Sequence, residues 1–170
     1  MAAEPMRVLM VCLGNICRSP TAEGVFRHRF QQAGLGARVE FDSAGTGDWH
    51  VGHPPDQRSV ATSRRLGVDL SGLRARQLQD ADFSDFDWLL CADRQNLADV
   101  RARMPMHARA RSLLLMDWAG MGQVEVPDPY TGAAAQFEAV WRQLNAAAGA
   151  ALAHRFGHRP QPVSDSRIID

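Results

Sequence analysis

Residues 7–26 read "RVLMVCLGNICRSPTAEGVF", and the change of character along this stretch decides the fold. Arg7 to Cys12 is an almost unbroken apolar run, the composition of a parallel strand covered on both faces. Gly14 and Asn15 follow, the two residue types that most readily take a positive φ, so the chain is expected to curl after Cys12. Ser19 and Pro20 then read as the N-cap and first position of a helix over Pro20 to Ala33. That helix carries Ala22, Val25, Phe26, Phe30 and Ala33 at helical spacing, with Gly34 as its stop. The whole is a strand, a tight loop and a helix.

The rest of the chain repeats this alternation. Further strands are expected at Ala37 to Gly45, Phe86 to Asp93 and Ala110 to Trp118. Further helices are expected at Pro55 to Leu66, Arg94 to Met104 and Ala134 to Phe156. The last helix sets Phe137, Val140, Trp141, Leu144, Ala148, Ala151 and Leu152 along one stripe. Alternating strands and helices without a linker or repeat predict a single α/β domain over residues 1–157. Its architecture is a three-layer sandwich, a four-stranded parallel β-sheet with helices on both faces. Residues 158–170, polar and proline-bearing, read as a loosely ordered tail.

Bulk composition narrows the function classes. Lys and Arg together number 19 and Asp and Glu 19, so no net field favours nucleic acid or an anionic membrane. No apolar run reaches the roughly 18 residues of a membrane span, and the N-terminus lacks the pattern of a secretory signal. Cys12, Cys17 and Cys91 are an odd number in no disulfide framework, which fits a reducing, cytoplasmic setting and turns attention to thiol chemistry. An unpatterned neutral surface fits a monomer.

In an open parallel sheet, ligands bind beyond the carboxyl ends of the strands, which is where Cys12 to Ser19 would lie. A curled loop there can aim the backbone N–H groups of Leu13, Gly14, Asn15, Ile16, Cys17 and Ser19 at a dianion, with the helix dipole behind them. Arg18 offers a planar fork for two phosphate oxygens. Cys12 at the focus of these donors would favour its thiolate and act as nucleophile. The competing reading is a strand end that happens to hold inert thiols. Gly14, Asn15, Ser19 and Pro20 around the Cys-x5-Arg spacing weigh against it. Attack on a phosphoester also needs an acid for the leaving oxygen, and Asp128 in "VPDPY", fixed between two prolines, is the best candidate.

With "DSAGTGDWHVGHPPDQR", "RARQL" and "FDWLLCAD" added to these motifs, the sequence resembles the low molecular weight protein tyrosine phosphatases, from about Arg7 to Arg155. The resemblance implies a phosphotyrosine-containing protein as substrate, a phosphocysteine intermediate and no metal or cofactor. It implies Cys12 as nucleophile, Arg18 as phosphate ligand, and Asp128 as general acid and then base. Asn15, Ser19 and Ser43 would form the polar network that holds the loop. Cys17 would pair with Cys12 under oxidation, and Trp49 and Tyr130 would wall the cleft.

Two positions depart from the family pattern: Leu73 stands where a histidine often joins the loop network, and Thr131 replaces a second aromatic after Tyr130. Arsenate reductases of the same scaffold need a further cysteine pair that this chain lacks. Phosphoarginine phosphatases carry threonine where Ile16 stands, and the bulky aliphatic side chain suits an aryl ester better. A silent phosphotyrosine-binding module would be expected to lack Cys12 or Asp128. The arginines at 101, 103, 109 and 111 read as a solvated face.

Overall fold

The computed structural model describes residues 3–159, so the expected tail falls almost wholly outside the described residues. Four strands, β1 (Met6–Cys12), β2 (Val39–Gly45), β3 (Trp88–Cys91) and β4 (Arg111–Leu114), form one parallel sheet in the order β2-β1-β3-β4. β1 is central, paired from Met6↔Val39 to Cys12↔Gly45 on one side and from Val8↔Trp88 to Val11↔Cys91 on the other. Between and after the strands run α1 (Arg18–Gln32), α2 (Gln57–Arg65), α3 (Asp82–Asp85), α4 (Arg94–Arg103), α5 (Leu115–Trp118) and α6 (Ala134–Phe156).

The apolar run of β1 serves both faces by simple alternation. Val8, Met10 and Cys12 point into the larger core, with Phe26 and Phe30 of α1 and Leu144 and Ala148 of α6. Leu9 and Val11 point the other way, onto Phe83 of α3 and Val100 of α4. The expected three-layer arrangement is therefore present. The expected stripe of α6 is buried throughout, and Gly34 ends α1 with φ +75°. Among the described residues no helix is long and apolar enough to cross a membrane.

Two local expectations are corrected, and one further element is present. The run from Ala110 to Trp118 stays a strand only to Leu114 and then turns into α5. Past Cys91↔Leu114 the position beside β3 is taken by Val126, whose N–H bonds the Ala92 carbonyl at 2.8 Å. β4 thus loses its neighbour, and Leu115, Met116 and Trp118 bury on the α6 side. The helix after β1 begins at Arg18, with Cys17 at the cap position and no side-chain cap, so Ser19 is inside the first turn. The short helix α3 was not foreseen. It is held by Asp82, whose carboxylate accepts from the Gln79 N–H and from Arg76.

The tryptophans outside the cleft are packing residues. Trp118 is fully buried, and Trp141 donates to Ser63 Oγ at 3.2 Å, joining α6 to α2. Arg155 lies over the rings of Trp88 and Trp118 and donates to the Trp118 carbonyl at 2.8 Å, tying the end of α6 to the sheet. The arginine run is exposed but engaged. Arg101 bonds Ser112, Arg109 pairs with Asp87, Arg111 lies over Trp88, and Arg103 donates to the Thr46 carbonyl.

Candidate active site

At the carboxyl end of β1 the chain curls as expected, but only one residue takes the positive φ. Asn15 has φ +56°, whereas Gly14 does not. Gly14 instead allows a close approach: a Cβ there would lie 3.1 Å from the His50 ring, which would have to give by a few tenths of an ångström. Gly45 makes the same provision from behind, since a Cβ on it would meet the Leu13 carbonyl at 2.7 Å.

Asn15 is held in its unusual conformation by three bonds. Its Oδ1 accepts from the Arg76 N–H at 2.9 Å, and its Nδ2 donates to Ser19 Oγ at 2.8 Å and to Ser43 Oγ at 3.0 Å. Ser43 in turn donates to Glu23 Oε1 at 2.6 Å. Ser19 Oγ, which accepts from Asn15, lies 2.9 Å from Cys12 Sγ, and its own hydrogen is free to point at the sulfur. Ser19 therefore serves the loop and not the helix cap. Leu73 packs its side chain against the larger core, and the network closes through Glu23 and its partner Arg27 at 2.6 Å. Burial pushes the Glu23 carboxyl above its ordinary pKa, against the opposing pull of Ser43 and Arg27.

Arg18 is 4% exposed and donates to Asp93 at 2.6 Å and to the Val126 carbonyl at 3.1 Å. Its other terminal nitrogen lies 3.7 Å from Asp128. Burial alone would lower its pKa, but the Cys12 sulfur and the carboxylates of Asp93 and Asp128 hold the guanidinium above its usual value. Cys17 is a different thiol. Desolvation, with Asp56 adding to it, pushes its pKa up to about 12, so it stays protonated at neutral pH. Cys91 is fully buried on β3, where desolvation raises its pKa as well.

These residues enclose a cleft of about 170 Å³. Cys12, Leu13, Gly14, Ile16, Cys17 and Arg18 form its inner part, and Trp49, His50, Asp128 and Tyr130 its walls. Trp49 and Tyr130 are 66% and 49% exposed, flat rings standing at the mouth. Asp128 accepts from the Tyr130 N–H at 3.1 Å, which fixes its loop locally. A thiol, a buried cation and a carboxylate thus share one slot with aromatic walls. That arrangement can bind a phosphate and hold a flat leaving group above it.

Of the expected site residues, Cys12, Leu13, Gly14, Ile16, Cys17, Arg18, Trp49, Asp128 and Tyr130 line this cleft, and Asn15, Ser19 and Ser43 are bonded to one another behind it. Five others also serve it: His50 on its wall, and Glu23, Asp93, Asp56 and Arg58 behind it. Asp93 was signalled by its place just past β3, next to β1 in the sheet. Glu23 was signalled by its spacing of four from both Ser19 and Arg27 on α1.

A sequence profile of the low molecular weight phosphotyrosine protein phosphatases matches residues 7–158. The chain is 43% identical over 141 residues to a curated relative, the low molecular weight phosphotyrosine protein phosphatase of Schizosaccharomyces pombe, covering 82% of this chain and 90% of that one. Its fold is similar to the crystal structure of YfkJ from Bacillus subtilis, with a TM-score of 0.83 and 34% identity over 94% of this chain and 100% of the other. It is also similar to DARP, a Drosophila arginine phosphatase, with a TM-score of 0.80 and 29% identity over 88% of this chain and 97% of that one. The match runs through the sheet, the loop after β1 and the loop that carries Asp128, and the chain belongs to the low molecular weight phosphotyrosine protein phosphatases.

Proposed function

We propose that the protein hydrolyses phosphotyrosine in protein substrates through a phosphocysteine at Cys12. The Cys12 thiolate attacks phosphorus, an S–P bond forms as the P–O bond to the ring breaks, and Asp128 protonates the departing phenolate. Arg18 and the N–H groups from Leu13 to Ser19 bind the phosphoryl oxygens as charge shifts onto them, so the chain's own donors carry the electrostatics. Asp128, now ionised, takes the proton of a water as its oxygen attacks phosphorus, the S–P bond breaks to return the Cys12 thiolate, and phosphate leaves.

The observation that carries this reading is the meeting of Cys12, Arg18 and Asp128 in one cleft. Trp49 and Tyr130 at its mouth, with the aliphatic Ile16 further in, support an aryl ester as substrate. Three cysteines outside any disulfide support a reducing, cytoplasmic compartment, and the zero net charge fits a monomer. Cys17, beside Cys12 in the same cleft, supports reversible oxidation to a Cys12–Cys17 disulfide.

The test is hydrolysis of a phosphotyrosine peptide by the wild type, Cys12→Ala and Asp128→Ala. Loss of turnover in the first variant and slowing by at least about a hundredfold in the second are expected. Turnover that survives Cys12→Ala contradicts the reading. The likeness to the Drosophila arginine phosphatase favours a second reading, a phosphoarginine substrate. It predicts phosphoarginine turnover by the wild type at least equal to that of phosphotyrosine.

A further inference from the structure

No helix or strand covers the chain between Trp118 and Ala134, yet Asp128 and Tyr130 project from it into the cleft. The upstream end of this loop is fixed. The Val126 N–H bonds Ala92 and its carbonyl accepts from Arg18, so the anion-binding arginine itself holds the chain two residues before Asp128.

The downstream end is held at Ala133 by Gln136 of α6, which accepts from the Ala133 N–H at 2.8 Å, and nearer the acid by Arg58 of α2. Arg58 donates to the Tyr130 carbonyl at 2.9 Å and reaches the Gly132 carbonyl at 3.3 Å. Its guanidinium lies 4.4 Å from the centre of the Phe137 ring and 5.6 Å from that of Tyr130. Two further bonds, at 3.0 and 2.9 Å, anchor it to Asp56. Asp56 in turn caps α2 and donates its own N–H to the Ile16 carbonyl in the anion loop at 2.8 Å. A continuous path therefore runs from Ile16 through Asp56 and Arg58 to Tyr130 and Gly132.

We propose that Arg58 is a positioning residue that sets Asp128 over the leaving oxygen by clamping the carboxylate loop to the anion loop. Tyr130 is gripped at both ends of its backbone, its N–H by Asp128 and its carbonyl by Arg58, so a shift of that residue moves the acid directly. The geometry calls for arginine. A planar fork can serve Asp56 and two carbonyls while stacking between rings, and a lysine ammonium offers neither the spacing nor the flat face. This role rests on Asp128 acting as the general acid.

A positioning role is separated from a structural one by how activity depends on the leaving group. The experiment measures kcat/KM for phenyl phosphate and for p-nitrophenyl phosphate, whose phenolate departs with little help from an acid. The proteins are the wild type, Arg58→Met, Asp128→Ala and the double variant, with thermal unfolding as a check on folding. Arg58→Met is expected to lose about tenfold on phenyl phosphate and less than about threefold on p-nitrophenyl phosphate. Asp128→Ala shows the same bias more strongly, and adding Arg58→Met to it changes nothing further. Where Arg58→Met does not fold, Arg58→Lys takes its place and is read in the same way.

An equal loss on both substrates, or a further loss in the Asp128→Ala background, overturns the role of Arg58 and leaves that of Asp128 standing. An Asp128→Ala variant without leaving-group bias overturns the assignment of Asp128 and the role of Arg58 with it.

Discussion

Asp93 grips Arg18 at 2.6 Å, a carboxylate at the end of β3 fixing a guanidinium at the start of α1. The two strands that lead to these residues, β1 and β3, are neighbours in the sheet, so the pair is set by topology. Arg18 is almost wholly buried, and a buried cation without an oriented partner is costly. Asp93 also caps α4 by accepting from the Asn96 N–H. Asp93→Asn keeps a cap acceptor and removes the charge. It is expected to lower kcat/KM on a phosphotyrosine peptide about tenfold, or about 1.4 kcal/mol, with the fold intact by circular dichroism.

Asn15 combines a left-handed backbone with three buried hydrogen bonds, and two substitutions separate these contributions. Asn15→Gly removes the bonds and keeps the backbone easy, whereas Asn15→Ala removes the bonds and adds strain. Both are expected to lose stability, by about 2 kcal/mol or more for the bonds. The alanine variant should lose about 1 kcal/mol more than the glycine variant. Urea denaturation checks both values. Equal stability of the two variants would show that the backbone at position 15 carries no strain.

Glu23 gives stability a pH dependence of defined sign. Its folded pKa lies above the ordinary glutamate value because burial disfavours the carboxylate. Between those two values the folded protein holds a proton that the unfolded chain has released, so this group's contribution falls as pH rises through the window. Glu23→Gln lacks it. The stability difference between wild type and Glu23→Gln should therefore move in favour of the variant as pH rises from below the ordinary glutamate value. Denaturation at several pH values reads this directly.

The thiols should separate in alkylation. Cys17, with its pKa pushed up to about 12, stays protonated at pH 8.5, and Cys91 is sealed in the core. Cys12 lines the cleft. Iodoacetamide at that pH, followed by peptide mapping, should label Cys12 first and spare the other two in the folded protein. Bound phosphate should slow that labelling.

How far the sequence could be read depended on whether a feature was local. The unbroken apolar character of residues 7–12 announced a buried parallel strand, and "CLGNICRSP" announced a curled loop that brings thiol and cation together, because all three fall within a few residues. The stripe of α6 was equally plain. Hidden were features fixed by partners far along the chain. The strand expected to reach Trp118 stops at Leu114 because Val126 occupies the next place beside β3. Ser19 looks like a helix cap until Asn15 and Cys12 claim its hydroxyl. Arg58 looks like any surface arginine until the loop at 130–132 folds back over it.

The central claim is that Cys12 carries the phosphoryl group between substrate and water. Asp128→Ala treated with p-nitrophenyl phosphate should form the intermediate readily, since that leaving group needs little acid, and should hydrolyse it slowly for want of a base. Rapid quenching followed by mass spectrometry of the peptide containing Cys12 is the direct measurement. A phosphorylated Cys12 that builds up and then decays at the rate of turnover is the result predicted. Turnover with no phosphate ever found on Cys12 would contradict the account.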